Sequence, residues 1–163
     1  MSFSFASEDE PISGKYLKGD KIITIGEIEQ LSLVIAFDYV SVKNTEYCFN
    51  NSNILANDYA KLFEFKKEIS KIKIKDFFDN SIIKRNYHFH DVNLYNKTFL
   101  INKMKTLLGY NNHIEAYKLP TVYQIAVYTS DKKAPRILGF FGKNATFHIL
   151  WLDYEHKIYQ MKI

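Results

Sequence analysis

Asp153-x-x-His156-x-x-Tyr159 follows directly on an apolar, strand-like run, and Arg136 stands on the run before it. These are the residue types that metal-independent RNA cleavage needs. One group takes the proton of the 2′-hydroxyl, another protonates the leaving oxygen, and a cation meets the charge of the phosphorane. The Asp153 carboxylate would orient the His156 imidazole and raise its pKa. Tyr159 would donate a proton or bind phosphate, and Arg136 would supply a bidentate cation. The competing structural reading has Asp153 capping a turn while His156 and Tyr159 pack over the sheet edge.

His88-x-His90, followed by Asp91, is a second constellation. In a strand, residues two apart share a face, so both imidazoles could ligate zinc or manganese, with Asp153 or His156 completing the shell. A paired set of surface or core histidines is the plainer alternative. Lys66, Lys67, Lys71, Lys73 and Lys75 form a basic stretch near Phe63, Phe65, Phe77 and Phe78. It reads as a phosphate-facing surface with aromatics for base stacking, or as a solvated helix face over a phenylalanine core. His148 alternates with Leu150 and Leu152 and reads as a buried, hydrogen-bonded histidine. Cys48 has no partner nearby in sequence. The chain contains no phosphate-loop, Gly-x-Gly-x-x-Gly or Gly-x-Ser-x-Gly motif, so standard nucleotide hydrolysis and serine-hydrolase chemistry drop out.

The elements that must position these residues follow from pattern. Residues 1–20 read as a loose lead-in with Pro11 and Gly14 as breakers, and Lys21 to Ile25 as a short strand ending at Gly26. Leu31 to Val42 alternates as a strand. Asn57 is placed to cap a helix over 58–71, and Ile72 to Phe78 is read as a short second helix. Tyr87 to Val92 alternates briefly, and 94–108 is a helix stopped by Gly109. Residues 121–129, 136–141 and 146–152 read as three strands. The last is apolar on both faces, Phe147, Ile149 and Trp151 against Leu150 and Leu152, so it should be covered on both sides. The expectation is an α+β fold: a loose segment 1–30, then a single domain 31–163 with an antiparallel sheet, a C-terminal three-stranded meander and helices packed on it.

Composition bounds the function classes. The 163 residues are 47% hydrophobic and 16% aromatic, enough for one large core. Twenty-two Lys and Arg against 18 Asp and Glu give a net charge of +4, which allows a phosphate-rich partner without demanding one. No run approaches the roughly 20 apolar residues of a membrane span, and the first thirty residues do not read as a signal peptide. One cysteine excludes an internal disulfide. These features lead to an expectation of a cytoplasmic protein with no membrane association and no cofactor.

The segment Arg136-Ile137-Leu138-Gly139-Phe140, then Phe147 to Trp151, then Leu152-Asp153-Tyr154-Glu155-His156-Lys157-Ile158-Tyr159 resembles the ends of a family of small bacterial proteins of uncharacterised activity. Members of that family usually carry proline where this chain has Tyr154. The resemblance covers the C-terminal third well and residues 31–108 loosely. More weakly, one strand, a helix pair and a three-stranded meander, with arginine on a middle strand and His and Tyr near the end, resemble the RelE/ParE/YoeB-type toxin fold. That resemblance implies a toxin-like or defence-associated protein acting on RNA as a metal-independent endoribonuclease, with RNA and a cognate protein as partners. The alternative is a non-catalytic module that binds protein or nucleic acid through its aromatic and lysine-rich surfaces.

Overall fold

The computed structural model describes residues 25–43, 46–111, 113–130, 133–142 and 146–158. The expected lead-in over 1–20 and Tyr159 lie outside them. In chain order the elements are α1 (Ile25–Glu29), β1 (Val34–Ala36), α2 (Ala56–Ile69), α3 (Ile74–Asp79), α4 (Ser81–Asn86), β2 (His90–Asp91), α5 (Thr98–Leu107), a 3-10 turn (Ala116–Lys118), β3 (Tyr123–Ala126), β4 (Arg136–Phe141) and β5 (Thr146–Asp153). The five strands form one sheet in the order β1-β5-β4-β3-β2.

The fold is α+β, but the sheet is mixed. β3, β4 and β5 pair antiparallel in chain order, whereas β1 lies parallel to β5, with Val34 opposite Thr146. The chain between β1 and β5 runs through α2 to α5 and β2 to β4, so no tight hairpin joins the two strands and their pairing is free to be parallel. The C-terminal meander is seen in part. β3 is shorter than the expected 121–129, and residues 131–132 and 143–145 of its connections lie outside the described ones.

Helices cover both faces. On one, Phe65 and Ile69 of α2 and Phe77 of α3 bury against Ile125, Ile137, Phe147, Ile149 and Leu152. On the other, Leu100 and Met104 of α5 bury against Val122, Leu138, Leu150 and Trp151. Trp151 and Phe147 are buried, as their positions on a doubly covered strand require. Gly109, at φ 71, ends α5. Helix α1 occupies part of the segment read as strand and lead-in: Gly26 lies inside it, and Ile28 is buried against Ile74 and Phe78. Helix α4 was not foreseen. Asn80 caps it by accepting from the N–H groups of Ile82 and Ile83. Asn57 does not cap α2. Asp58, one residue on, closes its first turn by accepting from Leu55 N–H at 2.9 Å.

A bulge in β5 decides which residues share a face. Gly139 pairs with Ile149 and Leu138 with Trp151, so Leu150 is the extra residue. Strict alternation would keep Trp151 on the Phe147 and Ile149 face. The bulge instead puts Leu150, Trp151 and then Asp153 on the α5 side. Only glycine fits beside it: a Cβ on Gly139 would meet the His148 carbonyl oxygen at 2.1 Å.

Candidate functional site

Arg136 begins β4, and its cross-strand partner is Asp153 at the end of β5. Ala126 and Gln124 follow on β3, and His90 on β2 lies opposite Gln124. By alternation, Gln124, Arg136, Trp151, Asp153 and His90 all lie on the α5 side of the sheet. The turn after β5 brings His156 to the same place, where its imidazole feels the charges of Arg136, Asp153, His88 and His90. The Asp153–His156 pair and the His88-x-His90 pair, read separately in sequence, are therefore one cluster. Arg136 and Asp153 are buried, His90 and His156 half-buried, and His88 exposed.

Asp153 does not orient the imidazole. Its two carboxylate oxygens accept from the backbone N–H groups of Lys157 at 2.7 Å and Ile158 at 2.6 Å. These bonds fix the turn on which His156 sits at φ 55. The turn-capping reading of Asp153 is thus the observed one. The expectation that Asp153 raises the His156 pKa is reversed. Burial, followed by the Arg136 guanidinium, pushes the imidazole below its ordinary value and outweighs the carboxylate's opposing pull. Burial, with Arg136 and His90, likewise lowers His88. Asp153 is raised by burial despite its backbone partners, and Arg136 is lowered by burial against the pull of Asp153.

Four buried side-chain polar atoms have no hydrogen-bond partner among the described residues: Gln124 Oε1, Arg136 Nε, Trp151 Nε1 and His156 Nε2. All four belong to this cluster. Each such group costs about 1–3 kcal/mol of desolvation, so folds retain few of them and rarely together. Among the described residues, the Arg136 guanidinium donates to two backbone carbonyls, Pro135 at 3.2 Å and Tyr128 at 3.4 Å. The three described non-glycine residues with positive φ also adjoin the cluster: His88, His156 and Tyr47. The Tyr47 hydroxyl is pushed up to about 12 by burial, then by Glu46 and the nearby Asp153.

On the opposite face, at the same end of the sheet, a different polar group is complete. Asp58 of α2 accepts from the hydroxyls of Tyr128 and Tyr154, each at 2.6 Å, and from Lys133 Nζ at 3.0 Å. Lys133 also donates to the Tyr154 oxygen. Burial alone would push Asp58 up. The bonds from Tyr128, Tyr154, Leu55 and Lys133 outweigh it and hold the carboxyl well below its usual range.

The lysine stretch is not part of the histidine cluster. Lys66, Lys67, Lys71, Lys73 and Lys75 lie on α2, α3 and the turn between them, on the other side of the sheet. Lys71 pairs with Glu68, Lys73 donates to Gln30, and Lys66 sits over the Phe37 ring. Phe65 and Phe77 are core, and Phe78 packs edge-on to Phe89 and Tyr123, so only Phe63 of that set is exposed. His148 is half-buried and bonds the Asp38 carboxylate at 2.9 Å. Among the described residues, no group of three His, Cys, Asp or Glu side chains is arranged to hold a metal ion, His88 and His90 included. No helix among them is long and apolar enough to cross a membrane.

Sequence reasoning missed Gln124, Trp151 and Tyr47 in the cluster. Gln124 had a signal: it is the one polar side chain between Ile125, Ala126 and Val122 on a strand buried on both faces. No protein-family model, curated protein or solved structure matches the chain. Function has to be read from the site.

Proposed function

We propose that this chain acts on RNA in the cytoplasm, breaking a phosphodiester without a metal, in a toxin-like or defence-associated role. The observation that carries the reading is the placement of Arg136 and His156 on one face of the sheet, close enough for the guanidinium to depress the imidazole. A depressed pKa keeps His156 neutral near pH 7, the state a general base needs. Its Nε2, unpartnered among the described residues, is the atom free to take a proton from an oxygen nucleophile. Arg136, with Nε uncommitted, meets the charge that develops on the phosphorane oxygens. Asp153 is a positioning residue that pins the turn carrying His156. The RelE/ParE/YoeB-type resemblance supports the reading at the level of topology, with Arg136 on β4 between β3 and β5 and His156 just beyond β5.

The test is incubation of purified protein with mixed RNA in the presence of a chelator, reading both chain length and the chemistry of the RNA ends. The expected result is a change in one of them that His156→Ala lacks. No change in either would remove the enzymatic reading. A non-catalytic module that binds a cognate protein is the second reading. It is favoured by exposed Phe37 and Phe63 flanking Lys66 on the other face. Salt-insensitive binding of a protein, unaffected by His156→Ala, would support it.

A further inference from the structure

This inference rests on the RNA reading given above and concerns the surface that holds the strand. The first consideration is continuity with the turn that carries His156. The Tyr47 carbonyl accepts from Leu152 N–H at 3.0 Å, which seats Tyr47 against the end of β5, beside Asp153. Lys103 of α5 reaches the same place. Its Nζ donates to the Glu46 carbonyl at 2.9 Å and stands 6.0 Å from the centroid of the Tyr47 ring. It also stands 5.9 Å from the centroid of Phe99, one helical turn earlier on α5. Lys157, on the His156 turn, feels the Glu46 carboxylate. Phe99, Lys103, Tyr47 and Lys157 thus form one strip, from the start of α5 to the His156 turn.

The second consideration is what the strip offers. Phe99 is 62% exposed, and Tyr95, in the turn leading into α5, is 81% exposed. Among the described residues, the large apolar side chains exposed over 92–117 are all aromatic, whereas the exposed aliphatic ones, Leu31, Val34, Val42, Leu55 and Ile82, lie elsewhere. Rings without aliphatic neighbours suit the flat faces of bases better than an apolar protein surface. Residues 92–114 contain no Asp or Glu, and Lys97 and Lys103 stand beside the rings. Two carboxylates border the far end of the strip. Glu155 pairs with Lys157, and Glu46 bonds the Tyr47 hydroxyl. The charge is positive along α5 and modest overall, so stacking must supply much of the grip. A duplex hides its base faces and a single strand presents them.

We propose that the exposed face of α5 and the turn before it bind single-stranded RNA, stacking unpaired bases on Tyr95 and Phe99 and meeting phosphates with Lys97 and Lys103. The strand then passes Tyr47 to the His156 turn. Tyr95, Phe99 and the two lysines are binding residues and take no part in the chemistry. The lysines of α2, on the opposite face of the sheet, are not in the strand's path.

The experiment measures binding of a fluorescent 2′-O-methyl RNA strand of about 12 nucleotides by anisotropy. Its blocked 2′-oxygens prevent cleavage during the measurement. Wild type should bind it, and should bind a duplex of the same sequence more weakly. Tyr95→Ala and Phe99→Ala should each weaken binding about tenfold, with melting temperatures like wild type because both rings are exposed. With an unmodified strand, Phe99→Ala should raise KM and leave kcat unchanged. Wild-type affinity in both variants, or a duplex bound as tightly as the single strand, would overturn the inference. So would a wild type that does not bind the strand. In any of these cases, cleavage that His156→Ala abolishes would leave the ribonuclease reading standing, and absence of cleavage would remove both.

Discussion

Two polar clusters sit at the same end of one sheet, on opposite faces, and they are built on opposite principles. Around Asp58 every group has its partner: two tyrosine hydroxyls, a lysine and a backbone N–H converge on one carboxylate. Around Arg136, four side chains keep a buried polar atom without a partner among the described residues. The first arrangement stabilises the fold, tying the start of α2 to the ends of β3 and β5. The second costs stability, because each buried polar atom without a partner forgoes hydrogen bonding it would have in water. The difference separates satisfied from unsatisfied polarity between neighbouring residues, since Asp153 belongs to one cluster and Tyr154 to the other.

The largest expected effect is at the satisfied cluster. Asp58→Ala strands the hydroxyls of Tyr128 and Tyr154 and the ammonium of Lys133, and should cost about 3–5 kcal/mol in urea denaturation. A loss under about 1 kcal/mol would mean that the network is ornamental. Next comes pH. The Asp58 pKa is lowered on folding, so its stabilisation is full above the unfolded value near 4 and is lost as pH falls through the folded one. The Asp153 pKa is raised, so it contributes with the opposite sign, and stability is lost as pH rises from the unfolded value through the folded one. Asp58→Asn should flatten the acid limb of the stability curve, and Asp153→Asn should steepen it. Equal changes of slope would erase the contrast between the clusters.

His156 supplies a smaller effect in a different window. Its folded pKa is depressed, so its contribution is present above about pH 6.5 and lost as pH falls through the lower folded value. Melts of His156→Ala should therefore be less sensitive to pH just below 6.5 than wild type. Greater sensitivity in that window would mean that Asp153, not Arg136, governs the imidazole. The smallest effect is at the lysines. Lys66→Ala and Lys67→Ala should leave both the melting temperature and any action on RNA unchanged, because they face away from the histidine cluster. A loss of action on RNA would relocate the functional surface to α2.

How much of this was legible in the sequence depended on whether local pattern or long-range closure decided it. Helix α2, helix α5 with its Gly109 stop, β4 and β5 are written in spacing and end signals, and the burial of Trp151 and Phe147 follows from an apolar run. The parallel pairing of β1 was not legible, since strand direction in a sheet is set by where the chain returns. Nor was the bulge at Leu150, which turns Trp151 and Asp153 to the Arg136 face and changes the site's membership. The residues of the candidate site were partly legible. Arg136, Asp153 and His156 were named from type and spacing, but the junction with His88 and His90 needed β2 at the far edge of the sheet. The Asp153–His156 pairing was misjudged because the Lys157 and Ile158 N–H groups take the carboxylate first. Asp58 was passed over because the motif that uses it spans Tyr128, Lys133 and Tyr154, far apart in sequence.

The central claim is that the unpartnered groups are kept for a ligand and not for the fold. The most direct measurement is the melting temperature of wild type and Gln124→Met, each with and without the 2′-O-methyl RNA strand. The account predicts that the variant alone melts at or above wild type, because a buried amide lacking part of its hydrogen bonding has been replaced by an apolar chain of similar size. It also predicts that the RNA raises the melting temperature of wild type more than that of the variant. A variant that melts as low as Asp58→Ala, with the RNA shifting both proteins alike or neither, would contradict it.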